Sequence, residues 1–522
     1  MEPLYAVLFS LTLAVVCQAI VALWKASKSV DHHSGPRRAV SSTTMLGAYL
    51  LPEIPGVSAG SNAMFRQKFT VFQKYGWDAY VEISWLGKPL TTFYVADPNT
   101  IKEIVSNRAR FPKPTEDYGV LAIYGDNVVT TEGDQWRKYK KLVSPAFTDR
   151  NNRFVWTETV RIVSELFEDV WAEKKQIDAD HVNDLTTQIA IMIIGSAVFG
   201  NKGSWRDEDT HLPPGHQMTF TQALYRASSE LVLKAAIPNF AMSWTPRLRK
   251  TKLAFKELGA YMTEMIEERI RSPDVSRDDL FSNLIVSNSG DDKHGLGKLD
   301  VKEITGNLFV FLVAGHETTA HTLSFAFALL SLYPEEQDKL YEQIKSVLGD
   351  GRLPSYEDMP LLTRSLGVFY ETLRMYPVVS GVPKHAAEDT TLVFGNQDGE
   401  TKTVPMPRGT RAILHIAGLH YNPLYWKDPY EFKPERFLAS DWPKDAFLPF
   451  SGGPRACIGR RFSETEGVAA LTMIISKYRV SIKEEARFAR ETFEEKKNRV
   501  LKTVQEISLT PVRIPITFTK RD

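Results

Sequence analysis

The sequence predicts a mainly α-helical protein with a minor β region, on three observations. Helical apolar spacing recurs over 154–174, 182–199, 251–271, 302–333, 336–348, 360–376 and 458–478. Turn chemistry separates these stretches, as in Asn201–His216 and Asn288–Lys298. The strand signal is small: Ala79–Trp85 and Thr91–Val95 flank Gly87-Lys88-Pro89 and read as a hairpin. Length alone suggests about two to four domains. The charged stretch Glu484–Arg499 reads as solvated surface.

Composition bounds the partners. At 43% hydrophobic and 24% charged the chain is ordinary for a globular protein, and a net charge of +1 gives no global pull toward nucleic acid. Two cysteines exclude a disulfide scaffold and suit a reducing compartment.

The first residues read differently. Leu4–Trp24 is predominantly apolar, and about 20 such residues cross a bilayer as a helix. Lys25, Lys28, Arg37 and Arg38 follow it, whereas Glu2 is the only side-chain charge before it, so the main body is expected on the cytosolic side. A cleaved signal peptide would have a basic start and a shorter apolar core. The expected organisation is an anchor over 1–24, a Pro/Gly/Ser-containing linker over 25–60, and the body over 61–522.

Cys457 is the chemically most telling residue. Cys17 lies in the apolar run, so Cys457 has no obvious disulfide partner. A cysteine among glycines, beside arginine and opening a helix, is placed for thiolate chemistry; the bland alternative is a buried structural cysteine. The segment Phe450-Ser451-Gly452-Gly453-Pro454-Arg455-Ala456-Cys457-Ile458-Gly459 resembles the heme-binding loop of the cytochrome P450 family, Phe-x-x-Gly-x-Arg-x-Cys-x-Gly. Phe450, Gly453, Arg455, Cys457 and Gly459 meet its fixed positions. The resemblance implies the cytochrome P450 fold, one large helical domain around heme b, with Cys457 as the axial thiolate to iron. It also implies a microsomal type, single-pass in the endoplasmic reticulum membrane.

Ile304–Leu332 is apolar on nearly every face, which predicts a helix running through the core. In its middle Ala314-Gly315-His316-Glu317-Thr318-Thr319 places polar groups where burial is costly without partners. Thr318 is expected to bond back to the Ala314 carbonyl. The segment resembles the family's oxygen-activation motif. That implies Thr318 holds dioxygen and its water while Glu317 relays protons; the bland reading is a helix packed by small residues. His316 and His321 come within one residue of the His-Glu-x-x-His zinc helix. Five residues turn a helix about 140° past a full turn, so these histidines do not share a face and read as core histidines.

Glu371-Thr372-Leu373-Arg374 and Pro434-Glu435-Arg436-Phe437 resemble the family's Glu-x-x-Arg signature and its third member, implying a buried charge network with a folding role. Trp136-Arg137-Lys138-Tyr139-Lys140 resembles the helix whose tryptophan and arginine hold heme propionates, with Lys140 in the arginine's place. Arg455 is the firmer propionate partner, and Lys384 stands where the family often has arginine. The bland reading of each lysine is a solvated surface charge. Arg137, Lys138, Lys140, Lys141, Arg460 and Arg461 are expected to form a basic patch for an acidic reductase.

The resemblance covers about 60–520 and implies an NADPH- and reductase-dependent monooxygenase. NADPH–cytochrome reductase is the expected donor, and cytochrome b5 a second one. Phe111–Val128, Thr219–Phe240, Phe309–Ala314 and Val378–Val382 would line the pocket. Their apolar character favours a terpenoid, fatty acid, sterol or polycyclic aromatic, in biosynthesis of secondary metabolites or in detoxification. Two other readings remain: a heme-thiolate isomerase or dehydratase working without dioxygen, and a non-enzymatic heme sensor or carrier.

Overall fold

The computed structural model describes residues 13, 17–200, 203–205, 212–271, 279–289, 298–349 and 351–521. Most of the expected anchor Leu4–Trp24, and parts of the loops Asn201–His216 and Asn288–Lys298, lie outside them. Residues 17–28 are helical, and Ile20, Val21 and Trp24 on this helix are exposed. Among the described residues, one helix is long and apolar enough to cross a membrane, Val182–Phe199; it is mostly buried within the protein and so belongs to the core.

The chain sorts into two compact units. The first comprises Met1–Pro114, Val379–Glu431 and Pro443–Ala456. Its centre is a five-stranded sheet of β1 (Arg37–Arg38), β2 (Ala79–Ser84), β3 (Leu90–Val95), β4 (Gly381–His385) and β5 (Arg411–His415), in the order β1-β2-β3-β5-β4. β2 and β3 form the expected hairpin, with Ala79 opposite Val95 and Ser84 opposite Leu90. β5 joins β3 in parallel and β4 antiparallel.

Residues expected as a linker pack onto this sheet from Val30 onward. Buried Glu82 of β2 pairs with Arg38 and accepts from the Ser42 backbone N–H at 2.8 Å and its hydroxyl at 2.7 Å. A buried carboxylate needs such partners, and among the described residues the 38–42 segment supplies them.

The second unit comprises Thr115–Val378, Phe432–Trp442 and Cys457–Asp522. It holds α1 (Gly133–Val143), α2 (Asp149–Glu165), α3 (Val182–Phe199), α4 (Pro246–Arg271), α5 (Val301–Leu332), α6 (Pro334–Val347), α7 (Thr363–Met375) and α8 (Arg460–Lys477). α5 begins with a capping box: the Glu303 N–H donates to Asp300 at 2.7 Å, and the Asp300 N–H donates to Glu303 at 2.9 Å. Phe325, Ala326, Phe327, Leu329 and Leu330 are fully buried, as expected for a helix apolar all round. α3 lies against α5 through a polar rivet, Thr186 to Ser324 at 2.7 Å and Ser324 to Asn183 at 3.0 Å. α8 approaches α7 at Gly467, where a Cβ would stand 2.3 Å from the Phe369 ring. The Glu484–Arg499 stretch is largely exposed, and its later part starts the capped helix Phe493–Val500.

Candidate functional site

The division of the chain into units falls between Ala456 and Cys457, inside the cysteine loop. In the first unit the chain turns sharply: Ser451 has φ 56° and Gly453 φ 65°. A Cβ on Gly453 would lie 2.3 Å from the Val105 carbonyl oxygen, so both the conformation and the close approach demand glycine. The Leu448 N–H donates to buried His420 at 2.9 Å, fixing the entry to the loop. Phe450 and Arg455 are partly exposed on this half. Lys384, on β4 opposite Ala412, is only 4% exposed, so it is not a solvated surface charge.

In the second unit Cys457 has open surface, and α8 starts three residues on. Despite that open surface, desolvation by neighbouring protein atoms pushes its thiol pKa up, opposed by the Gly459 N–H donating to the sulfur and by the Arg460 charge. A ligated metal removes such a proton outright. α5 meets the first turn of α8 directly, through Thr319 and Ser463 at 3.0 Å. The Ser463 N–H returns to the Gly459 carbonyl at 2.9 Å. One helical turn therefore links the cysteine loop to the polar centre of α5.

That centre is where α5 opens. Ile304 to Val313 are buried, then Ala314 is exposed and Gly315, Glu317 and Thr318 are half-buried, before burial resumes at Thr319. The Thr318 hydroxyl donates to the Ala314 carbonyl at 2.9 Å, as expected. Gly315 lets α3 come close; a Cβ would meet Ile194 Cδ1 at 2.6 Å. The Ser508 hydroxyl donates to Glu317 at 2.7 Å, and burial pushes the Glu317 carboxyl up to about 7 against that bond. His316 and His321 are core histidines: His316 Nδ1 bonds the Leu312 carbonyl at 2.7 Å and His321 Nδ1 the Ser508 hydroxyl at 2.9 Å. Burial holds their pKa values down to about 4 and about 3, so both rings are neutral.

Glu371, Arg374 and Arg436 come together. Glu371 accepts Arg374 Nε at 2.7 Å and Nη2 at 2.8 Å, both side chains being fully buried. The same carboxylate accepts the Lys433 N–H at 2.9 Å and Arg436 Nε at 3.3 Å. A bidentate pair with the remaining lone pairs used is the geometry that makes burial of charge tolerable.

On α1, Trp136 is buried and Lys140 lies over its ring, 5.1 Å from the centroid. The basic patch is smaller than expected. Lys138 is mostly buried and pairs with Glu303 at 3.0 Å, a carboxylate that also accepts from Tyr139 at 2.7 Å. Arg460 pairs with Glu464 at 2.8 Å and Arg461 with the same residue at 3.6 Å. Arg137, paired with Asp134, and Lys141 are the exposed cations of this helix. The sequence reading missed Glu303, for which the Asp300-x-x-Glu303 capping-box spacing is a usable signal, and Ser508, which is far from α5 in sequence and has no local signal.

A helical body, an opened central helix and one exposed cysteine at a helix start offer a prosthetic group a single thiolate. A family-wide sequence profile described as Cytochrome P450 matches residues 53–510. Cytochrome P450 monooxygenase 124 of Postia placenta is 48% identical over 90% of each chain. Cytochrome P450 monooxygenase prx9 of Penicillium rubens is 29% identical over 75% of this chain and 74% of its own. The crystal structure of the cytochrome P450DA heme domain superposes with a TM-score of 0.73 at 22% identity, covering 93% of this chain and 98% of that one, which speaks to fold alone. The chain belongs to the cytochrome P450 family. It is a heme-thiolate monooxygenase, and its cofactor is heme held by an axial cysteine thiolate.

The residues fit that group. Among the described residues no cluster of three or more His, Cys, Asp or Glu would hold a bare ion. A porphyrin brings its own four nitrogens and asks the protein for one ligand, which is what an open cysteine beside a backbone N–H donor offers.

Proposed function

We propose that Cys457 is the axial ligand and that Thr318 and Glu317 manage water and protons for insertion of one oxygen atom into an apolar organic substrate. The observation that carries this reading is the opening of α5 at Ala314–Thr318, tied through Thr319 and Ser463 to the helix that follows Cys457. When bound, the heme activates dioxygen; one oxygen atom enters the substrate and the other leaves as water, with electrons from NADPH. Phe450, Gly453 and Gly459 shape the loop. Arg455, Trp136, Lys140 and Lys384 are the partners proposed for the propionates. The buried indole of Trp136 under Lys140, and the buried ammonium of Lys384, support placing them there rather than in solvent.

Thr318 presents its hydroxyl oxygen at the opening while its O–H donates to the Ala314 carbonyl, which leaves lone pairs to order water. Glu317, with a pKa near 7, holds a proton below that pH and yields it above. Thr318→Ala is expected to uncouple NADPH consumption from product, read as peroxide released per NADPH oxidised. Glu317→Gln is expected to slow turnover about a hundredfold, within the range for a proton-transfer group. It should also remove an inflection near pH 7 from the rate profile, the rate falling as the acid form is lost. Unchanged coupling in both variants contradicts the assignment.

Redox partners of this family deliver electrons from outside, and we assign NADPH–cytochrome reductase, with cytochrome b5 as second donor. Arg137 and Lys141 are the docking cations; Lys138 is engaged internally by Glu303. Reversing Arg137 and Lys141 to Glu is expected to slow heme reduction in stopped flow, more at low salt than at high salt. Equal rates overturn the docking assignment. Exposed Leu13, Ile20, Val21 and Trp24 support an anchor ending near residue 24, a single pass through the endoplasmic reticulum membrane and a cytosolic catalytic body that already includes the packed residues from Val30 onward. The substrate is taken as apolar because the segments assigned to line its pocket, Phe309–Ala314 among them, are rich in Phe, Leu, Val and Ala. A mass-spectrometric screen of terpenoids, fatty acids, sterols and polycyclic aromatics would identify it.

A further inference from the structure

We infer that Ser508 is a positioning residue: with His321 behind it, its hydroxyl forms a hydrogen-bond seat that lets Glu317 take up and release a proton without leaving a buried group unpaired. This rests on the reading of Glu317 as the proton carrier and adds what holds it. Ser508 lies between the hairpin strands Thr503–Gln505 and Leu509–Pro511 and is 2% exposed. The Leu509 N–H donates to the Val378 carbonyl at 2.8 Å, and Thr510 donates to the Ser508 carbonyl at 3.2 Å, so the serine backbone is fixed. From there its oxygen reaches two α5 side chains one turn apart, Glu317 Oε1 at 2.7 Å and His321 Nδ1 at 2.9 Å.

The donor inventory lets this chain serve both protonation states. With Glu317 ionised, neutral His321 donates Nδ1–H to Ser508, and Ser508 donates to Oε1 of the carboxylate. With Glu317 protonated on Oε2, Oε1 still accepts from Ser508 and His321 keeps its tautomer, so the acid O–H is left to point toward the opening at Thr318. In both states each of the three groups keeps a partner. The Oε2–H bond breaks when the proton passes to water at Thr318, and a proton from solvent restores it, with no change at the serine or the imidazole. A fixed donor such as lysine would hold the anion and stop the cycle, and an apolar neighbour would hold the acid.

The surrounding charges are few. Glu506, on the same hairpin, repels the Glu317 carboxylate, while the Ser508 N–H favours it. His316 and His181 face His321 and, like burial, keep it neutral. Glu506 is itself held above its ordinary pKa by burial, which weakens its repulsion near neutral pH.

The test uses the full-length holoenzyme. The infrared band of the protonated Glu317 carboxyl, taken as the difference between wild type and Glu317→Gln, is titrated with pH. The wild-type midpoint is expected near 7. Ser508→Ala should move it up by about one unit or more, the shift expected when a charged group loses one hydrogen bond. Ser508→Thr, which keeps the hydroxyl, should leave it in place. His321→Phe, which removes the donor behind the serine, should move it upward by less, and it stands in if the alanine variant does not fold. A midpoint that stays put in both Ser508→Ala and His321→Phe overturns the seat. If Glu317→Gln alters neither the solvent isotope effect nor the coupling, the underlying assignment of Glu317 fails instead.

Discussion

Glu371→Ala is expected to yield protein that does not retain heme and melts far below wild type. The substitution leaves Arg374, fully buried, with its bidentate partner gone, and also strips the Lys433 N–H and Arg436 of their shared acceptor. Breaking one side of a buried ion pair costs about 3–5 kcal/mol, a large part of the roughly 5–15 kcal/mol that holds a domain folded. Lys433 and Arg436 belong to the segment Phe432–Trp442, which α7 receives closely at Gly367, where a Cβ would stand 3.0 Å from the Pro434 carbonyl oxygen. The damage therefore spreads from one carboxylate to the packing of that segment. Thermal unfolding and the heme-to-protein ratio read the effect; a wild-type melting temperature contradicts it.

Cys457→Ser is expected to abolish turnover. A serine oxygen at this position retains the loop's shape but withdraws the sulfur proposed to donate charge to the iron. Altering groups behind a metal ligand already costs about 10–100-fold, and replacing the ligand should cost more. Cys17→Ser, at an exposed position remote in sequence from every motif, is the matched control and should leave turnover unchanged. Equal loss in both variants would point to general thiol damage.

The reading of helices from apolar spacing was accurate where burial sets the pattern. α5, expected over 302–333, runs Val301–Leu332, because a helix through the core is apolar all round and its Asp300–Glu303 box marks its start. α2, expected from residue 154, begins at Asp149, because the Thr148 side chain accepts the Asn151 N–H at 3.3 Å and starts the helix before its apolar face does. The β2–β3 hairpin was legible from its turn, whereas the parallel pairing of β3 with β5 joins segments over 300 residues apart and has no local signal. The Ser42–Glu82 contacts that fold the supposed linker are equally non-local.

At the site, Thr318 and the Glu371–Arg374 pair were legible because helical spacing dictates their partners at four and three residues. The same reasoning failed for Lys138, whose partner Glu303 comes from another helix, and it had no means of finding Ser508. Partners on the same helix turn can be read from spacing; partners delivered by tertiary packing cannot.

The most direct test of the central claim is the absorption spectrum of the reduced carbon-monoxide complex of the full-length protein. A Soret band of the thiolate type, lost in Cys457→Ser, is the predicted result. A wild-type spectrum without that band, or one that survives the substitution, would contradict ligation of heme by Cys457.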